Sequence, residues 1–198
     1  MGGNTSKALD EDVLKEISGE TDCRSTLISI MKLVNTKQIC RLYSRFDALD
    51  KSSAGYLRRN DLLRIPEIAI NPLGDRIVNQ FFENKEELNF HDYVRKLASF
   101  RKVKHNQGTV YSNKEAKLRF LFGMYDIDGD EKITPNELFG MLRLMVGSNI
   151  SEDQVINIGD RTMAEADING DGYITYEEFR EAFENVDIEE KMSIKFME

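Results

Sequence analysis

Leu118, Leu121, Phe122 and Tyr125 recur at the spacing of one helix face, and Leu138, Met141, Leu142 and Met145 repeat it a short way on. Phe179 and Phe183 begin a further stripe of the same kind. Between the stripes lie short acidic stretches, each holding one apolar residue near its end, Ile133 and Ile174. The pattern predicts helix–loop–helix units in which Ile133 and Ile174 face each other across a short two-stranded link, coupling two loops into one lobe. Far upstream, Leu27, Ile30, Met31 and Val34 share another helical face. No apolar run approaches the roughly 20 residues needed to cross a bilayer.

The acidic stretches carry ligand chemistry. Asp167 to Glu178 places side-chain oxygens at loop positions 1, 3 and 5, Gly at 6, an apolar residue at 8 and Glu at 12, which is a complete EF-hand calcium loop. Asp167, Asn169 and Asp171 offer side-chain oxygens to a hard cation, Tyr173 offers its backbone carbonyl, and Glu178 closes the shell with two oxygens. Gly172 allows the sharp turn at φ > 0. Asp126 to Glu137 repeats the design, with Asp126, Asp128 and Asp130 at 1, 3 and 5, the Lys132 carbonyl at 7, Ile133 at 8 and Glu137 at 12. Its position 6 is Glu131, and a non-glycine residue at φ > 0 costs on the order of 1 kcal/mol. Four carboxylates facing one divalent ion outweigh that cost. Two calcium ions are expected, both within residues 126–178.

Such loops come in pairs, and weakened copies stand in the N-terminal half. Asp50 to Asp61 keeps the frame, with Gly55 at position 6 and Leu57 at 8, but carries Ser52 at 3, Ala54 at 5 and the shorter Asp61 at 12. A fourth copy shows only its exit, Leu88-Asn89-Phe90-His91-Asp92-Tyr93. Setting Leu88 as position 8 leaves Glu83 to Glu87 as a shortened acidic loop without Asp or Gly, which reads as a solvated loop. This half is expected to hold its shape without metal. The fold class is therefore all-α, a two-lobed protein of four EF-hands, two degenerate and N-terminal, two calcium-binding and C-terminal. The expected divisions are an N-terminal segment (1–36), a degenerate pair (37–100), a basic linker (101–113), and a calcium-binding pair with its tail (114–198).

Charge follows the same division. The whole chain carries net −8, but residues 120–198 hold 19 acidic against 6 basic side chains, whereas residues 101–119 hold 6 basic against 1 acidic. An acidic lobe suits cations and a basic partner helix, and disfavours nucleic acid. Cys23 and Cys40 have no metal-ligand spacing and are expected as thiols in a reducing cytosol. His91 and His105 are isolated and no nucleophile motif accompanies them, so nothing argues for catalysis. Met1-Gly2-Gly3-Asn4-Thr5-Ser6 matches the N-myristoylation signal, with Gly2 as acceptor. One myristoyl chain holds a membrane with K of only about 10⁴ M⁻¹, so a membrane-resident partner or a protein pocket must complete the attachment.

These residues together resemble the calcineurin B homologous proteins, relatives of calcineurin B. The likeness covers most of residues 36–198 and the extreme N-terminus. It is carried by Arg41-Leu42-Tyr43-Ser44-Arg45-Phe46, Ile70-Asn71-Pro72-Leu73-Gly74-Asp75-Arg76-Ile77, Met145-Val146-Gly147, Asn149-Ile150-Ser151 and Lys191-Met192-Ser193-Ile194. The resemblance implies two silent and two active EF-hands. It also implies a myristoylated cytoplasmic subunit at the cytosolic face of the plasma membrane or vesicles, with the nucleus as a further location. The implied partner is an amphipathic juxtamembrane helix of a Na⁺/H⁺ exchanger, with the calcineurin catalytic subunit as the alternative, either as its regulatory subunit or as a calcineurin inhibitor, and a calcium-dependent vesicle-trafficking adaptor as a third role. Residues 21–35 look like an insertion relative to that family, and the linker is shorter than the family's. A target helix would lay its apolar face in a groove, for which Met141, Leu142, Leu144 and Met145 are the candidates; the competing reading places them in the lobe core.

Overall fold

Ile39, Leu42 and Phe46 recur on one face of the first described helix, α1 (Thr36–Leu49), and all three are buried. The computed structural model describes residues 36–83, 85–100, 114–188 and Met192. The acylation signal at Gly2, the segment 21–35 and the linker 101–113 lie outside these residues.

After α1 the chain runs through β1 (Tyr56–Leu57), α2 (Arg59–Leu63), α3 (Pro66–Ala69), α4 (Gly74–Phe82), β2 (Leu88–Asn89) and α5 (Phe90–Ser99). Pro66 explains the break between α2 and α3. It holds Ile65 in extended backbone and opens the next helix at a position where its missing N–H costs nothing. The C-terminal part repeats the order with α6 (Lys114–Tyr125), β3 (Lys132–Ile133), α7 (Pro135–Val146), α8 (Glu152–Ala166), β4 (Ile174–Thr175) and α9 (Tyr176–Ala182). The protein is an all-α EF-hand fold whose strands serve only to tie loops together.

Among the described residues there are two antiparallel links. β1 pairs with β2 through Leu57 and Leu88, and β3 pairs with β4 through Ile133 and Ile174. The expected Ile133–Ile174 pairing is thus observed, and Leu88 stands at position 8 as expected. All four residues are buried, so each link is also a core element.

Each lobe has its own core. Leu57, Val78, Phe82, Leu88 and Leu97 close the N-terminal one around α1. In the C-terminal lobe Phe122 meets Tyr176 and Phe179 edge-on at 5.4 Å between ring centroids, beside Leu118, Ile133 and Ile174. A third cluster joins the lobes. Phe100 packs edge-on against Phe120 at 4.7 Å, with Phe81, Met124 and Met141 around them. The Gln80 side-chain amide donates to the Gly123 carbonyl on α6, three residues before the first C-terminal loop. A Cβ at position 123 would collide with that amide, so this placement of the Gln80 side chain depends on glycine there.

Candidate metal centre

The C-terminal lobe builds two loops by one local logic. Thr134 and Thr175 each cap the helix that follows, accepting the N–H of Glu137 and Glu178, while those carboxylates accept the threonine N–H at 2.9 Å and its hydroxyl at 2.8 Å. The second carboxylate oxygen reaches back to loop position 2. Glu137 accepts from Ile127 N–H at 2.8 Å and Glu178 from Ile168 N–H at 3.0 Å. Both glutamates are buried, so each loop closes on a fixed carboxylate.

Position 1 is fixed in the same way. Asp126 accepts from Gly129 N–H at 2.8 Å and Glu131 N–H at 3.1 Å; Asp167 accepts from Gly170 N–H at 2.8 Å and Gly172 N–H at 2.9 Å. Asp128 and Asn169 accept the N–H of Asp130 and Asp171. These bonds bend the chain around a common centre. Asp126, Asp128 and Asp130 bring carboxylate oxygens to within 4.8 Å of one another. The all-oxygen donor set, without Cys or His, fits a hard divalent cation such as calcium. At position 7, the Lys132 ammonium lies over the Tyr173 ring at 4.0 Å from its centroid, so the two loops touch.

Glu131 sits at φ 67°, the left-handed backbone expected for position 6, where the other loop has Gly172 at φ 90°. The carboxyls of Asp126 and Glu137, at positions 1 and 12, are shifted in opposite directions. Burial pushes the Asp126 carboxyl above the usual range; N–H bonds from Gly129 and Glu131 oppose this, while the charges of Glu137 and Asp130 add to it. Burial acts on Glu137 in the same sense, but bonds from Thr134 and Ile127 prevail and hold it below its ordinary value. For Glu178 the Thr175 N–H leads, and this carboxyl also lies low.

The N-terminal loops keep the backbone and lose the donors. Asp50 accepts from Gly55 N–H at 2.7 Å and the Ser52 hydroxyl at 2.9 Å, and Ala54 stands where a ligand would. Asp61 accepts from Arg58 N–H at 2.9 Å and pairs with Arg64 at 3.3 Å. In the shortened loop Asp92 accepts from the Lys85 ammonium at 2.5 Å, and Glu83 pairs with Lys96. Burial raises the Asp92 carboxyl, but the Lys85 bond, with the charges of Lys85, Arg95 and His91, brings it below its ordinary value. Glu83, Lys85, Glu86 and Glu87 are exposed, as expected of a solvated loop, and two of them also make ion pairs, Glu83 with Lys96 and Lys85 with Asp92. Lys85 is the residue that sequence reasoning passes over, and a basic residue at position 5 is the signal that could have found it. The capping pairs Thr134–Glu137 and Thr175–Glu178 are readable too, from Thr-x-x-Glu before an apolar run.

The groove candidates divide. Met141 is only 1% exposed and belongs to the cluster that joins the lobes, so in this conformation it is core and not surface. The reason is that its helix face is covered by α6 from the same lobe and by the neighbouring lobe. Leu142 is half-buried against the C-terminal core. Leu144 and Met145 are 39% and 53% exposed at the end of α7.

The family described as an EF-hand domain pair matches residues 115–184, the segment holding both complete loops. The chain is 39% identical to the calcineurin B of Naegleria gruberi over 196 residues, 98% of this chain and 99% of that protein. It is 40% identical to the type 1 calcineurin B of Dictyostelium discoideum over 163 residues, 81% of this chain and 86% of the relative. The calcineurin B of Candida glabrata is 36% identical over 160 residues, 80% and 87% of the two chains.

Proposed function

This chain belongs to the calcineurin B family, and from that premise we propose that it is a calcium-binding regulatory subunit that docks on an amphipathic juxtamembrane helix of a plasma-membrane Na⁺/H⁺ exchanger and supports the exchanger's activity and trafficking. Two calcium ions occupy the C-terminal lobe, held by Asp126, Asp128, Asp130, the Lys132 carbonyl and Glu137, and by Asp167, Asn169, Asp171, the Tyr173 carbonyl and Glu178. The observation that carries the reading is the asymmetry of the lobes. Position 12 is a glutamate bonded by backbone N–H groups and a threonine hydroxyl in both C-terminal loops, but in both N-terminal loops an aspartate paired with a side-chain cation, Arg64 or Lys85. That asymmetry is what the resemblance to the calcineurin B homologous proteins implies, and Ile70 to Ile77 and Lys191 to Ile194 support the same branch.

Leu144 and Met145 are the apolar side chains that a target helix would cover on α7. The net −13 of residues 120–198 suits a basic segment, as cytosolic stretches beside a membrane tend to be. An acyl group on Gly2 would add a weak membrane contact to that of the partner.

A second reading follows from the relatives' names: a regulatory chain for a calcineurin-type catalytic chain, favoured by 36–40% identity to proteins that carry the calcineurin B name. One titration separates the two. The full chain, loaded with calcium, is titrated calorimetrically with a basic amphipathic exchanger peptide of roughly 25 residues, its scrambled version, and the corresponding helix of a phosphatase catalytic chain. The exchanger peptide should bind at least about tenfold tighter than the scrambled control, a difference of about 1.4 kcal/mol. Tight binding of the phosphatase helix alone contradicts the exchanger reading and establishes the second.

A further inference from the structure

We propose that Lys85 is a built-in cation of the second N-terminal loop, an ammonium on the chain itself that does the work of a bound ion. The register carries this. Leu88 pairs with Leu57 as Ile174 pairs with Ile133, so Leu88 is position 8, Lys85 is position 5 and Asp92 is position 12. Positions 5 and 12 are Asp130 and Glu137 in one C-terminal loop, and Asp171 and Glu178 in the other, all acidic. Here the sign at position 5 is reversed, and the ammonium meets the position-12 carboxylate directly, Lys85 Nζ to Asp92 Oδ2 at 2.5 Å.

The rest of the loop is arranged to match. The Asn89 side chain accepts Asp92 N–H at 2.8 Å, the same position-9 to position-12 cap that Thr134 and Thr175 make. In the C-terminal loops one carboxylate oxygen then takes the N–H of position 2. In the short loop position 2 is Phe82, which lies within α4, so the Asp92 carboxylate turns to Lys85 instead. Lys85 N–H bonds the Phe82 carbonyl at 2.8 Å, a tight turn that returns position 5 to the helix end. Arg95 stands 3.5 Å and His91 Nδ1 3.6 Å from Asp92 Oδ1, and Glu83 is engaged by Lys96 and Arg95. Asp92 is the buried member, its side chain 12% exposed against 50% for Lys85. Lys85 is the nearer of the two basic side chains on this mostly buried carboxylate and the one that reaches it from the loop, so losing it should loosen the loop even with Arg95 in place.

The consequence is that the β1–β2 link stays closed at any calcium concentration, and calcium acts on this molecule through residues 126–178 alone. The contrast between lobes rests on the C-terminal loops being calcium sites, but the role of Lys85 is tested apart from it. Hydrogen exchange is followed in peptides covering β1 and β2 of the full chain, with calcium and with chelator. Wild-type protein should exchange there at one rate in both. Lys85→Met should exchange about fivefold faster or more, as expected for losing a charged donor on a mostly buried carboxylate. Lys85→Arg should restore most of the protection, and peptides covering β3 and β4 should not respond to either variant. Wild-type exchange in Lys85→Met overturns the proposal. If Lys85→Met fails to fold, the double variant Lys85→Met/Asp92→Asn decides: removing both charges should recover folding, and failure of the double variant overturns the proposal too. Calcium protection of β3 and β4 in the same samples reports the C-terminal reading separately.

Discussion

Glu178→Gln should weaken calcium binding at its loop by about two orders of magnitude, and Glu137→Gln should do the same at the other. Each carboxylate is expected to supply two oxygens to the ion, and glutamine removes the charge while leaving only one oxygen that can accept. The structure adds a second cost. Glu178 already accepts from Ile168, Asn169 and Thr175, and Glu137 from Ile127 and Thr134. An amide cannot accept from both ends of the loop with its NH₂ group, so the variant loses the closure as well as the charge. Because Lys132 lies over Tyr173 and Ile133 pairs with Ile174, each single variant should also loosen the neighbouring loop. Asp61→Asn and Asp92→Asn are the controls. They sit at position 12 of the N-terminal loops, and calorimetric titration of calcium should give curves indistinguishable from wild type.

Phe82→Ala should lower the stability of the N-terminal lobe by about 3–5 kcal/mol, a large part of the roughly 5–15 kcal/mol that holds a typical domain. Phe82 is completely buried at the end of α4, among Leu57, Val78 and Leu88, with the Arg59 guanidinium over its ring at 5.5 Å from the centroid. Truncation leaves a cavity beneath the β1–β2 link, where backbone and core meet and neighbours cannot easily collapse. Urea unfolding of the calcium-loaded chain should show the loss in the N-terminal transition. Calcium uptake should stay at two ions, since every proposed ligand lies in the other lobe. Loss of calcium binding in this variant would mean that the contact of α4 with α6, through Gln80 and Gly123, is needed to form the first calcium loop.

The parts legible in the sequence are those fixed by local chemistry. Position 8 predicts the Ile133–Ile174 link because an apolar residue there faces its counterpart in the paired loop, whereas Ile127 and Ile168 at position 2 stay exposed. The same rule, carried to Leu57 and Leu88, finds a link in loops that have lost their ligands. Glu131 at φ > 0 is legible because the ring of donors forces the turn whatever residue stands there. The tertiary parts are not legible. Met141, Leu142 and Met145 follow one spacing, and only the packing of one lobe on the other shows that Met141 is core while Met145 faces water. Gly123 has no reason in its own helix; the Gln80 side chain from the other lobe supplies it. Lys85 escapes a reading that weighs an acidic stretch by its charge rather than by its register.

The central claim is that calcium enters one lobe and not the other. Native mass spectrometry of the full chain, titrated with calcium after chelator treatment, tests it directly. Binding should saturate at two ions, with both lost in the Glu137→Gln/Glu178→Gln double variant at the same free calcium. A third or fourth tightly held ion, or two ions surviving in the double variant, would contradict it.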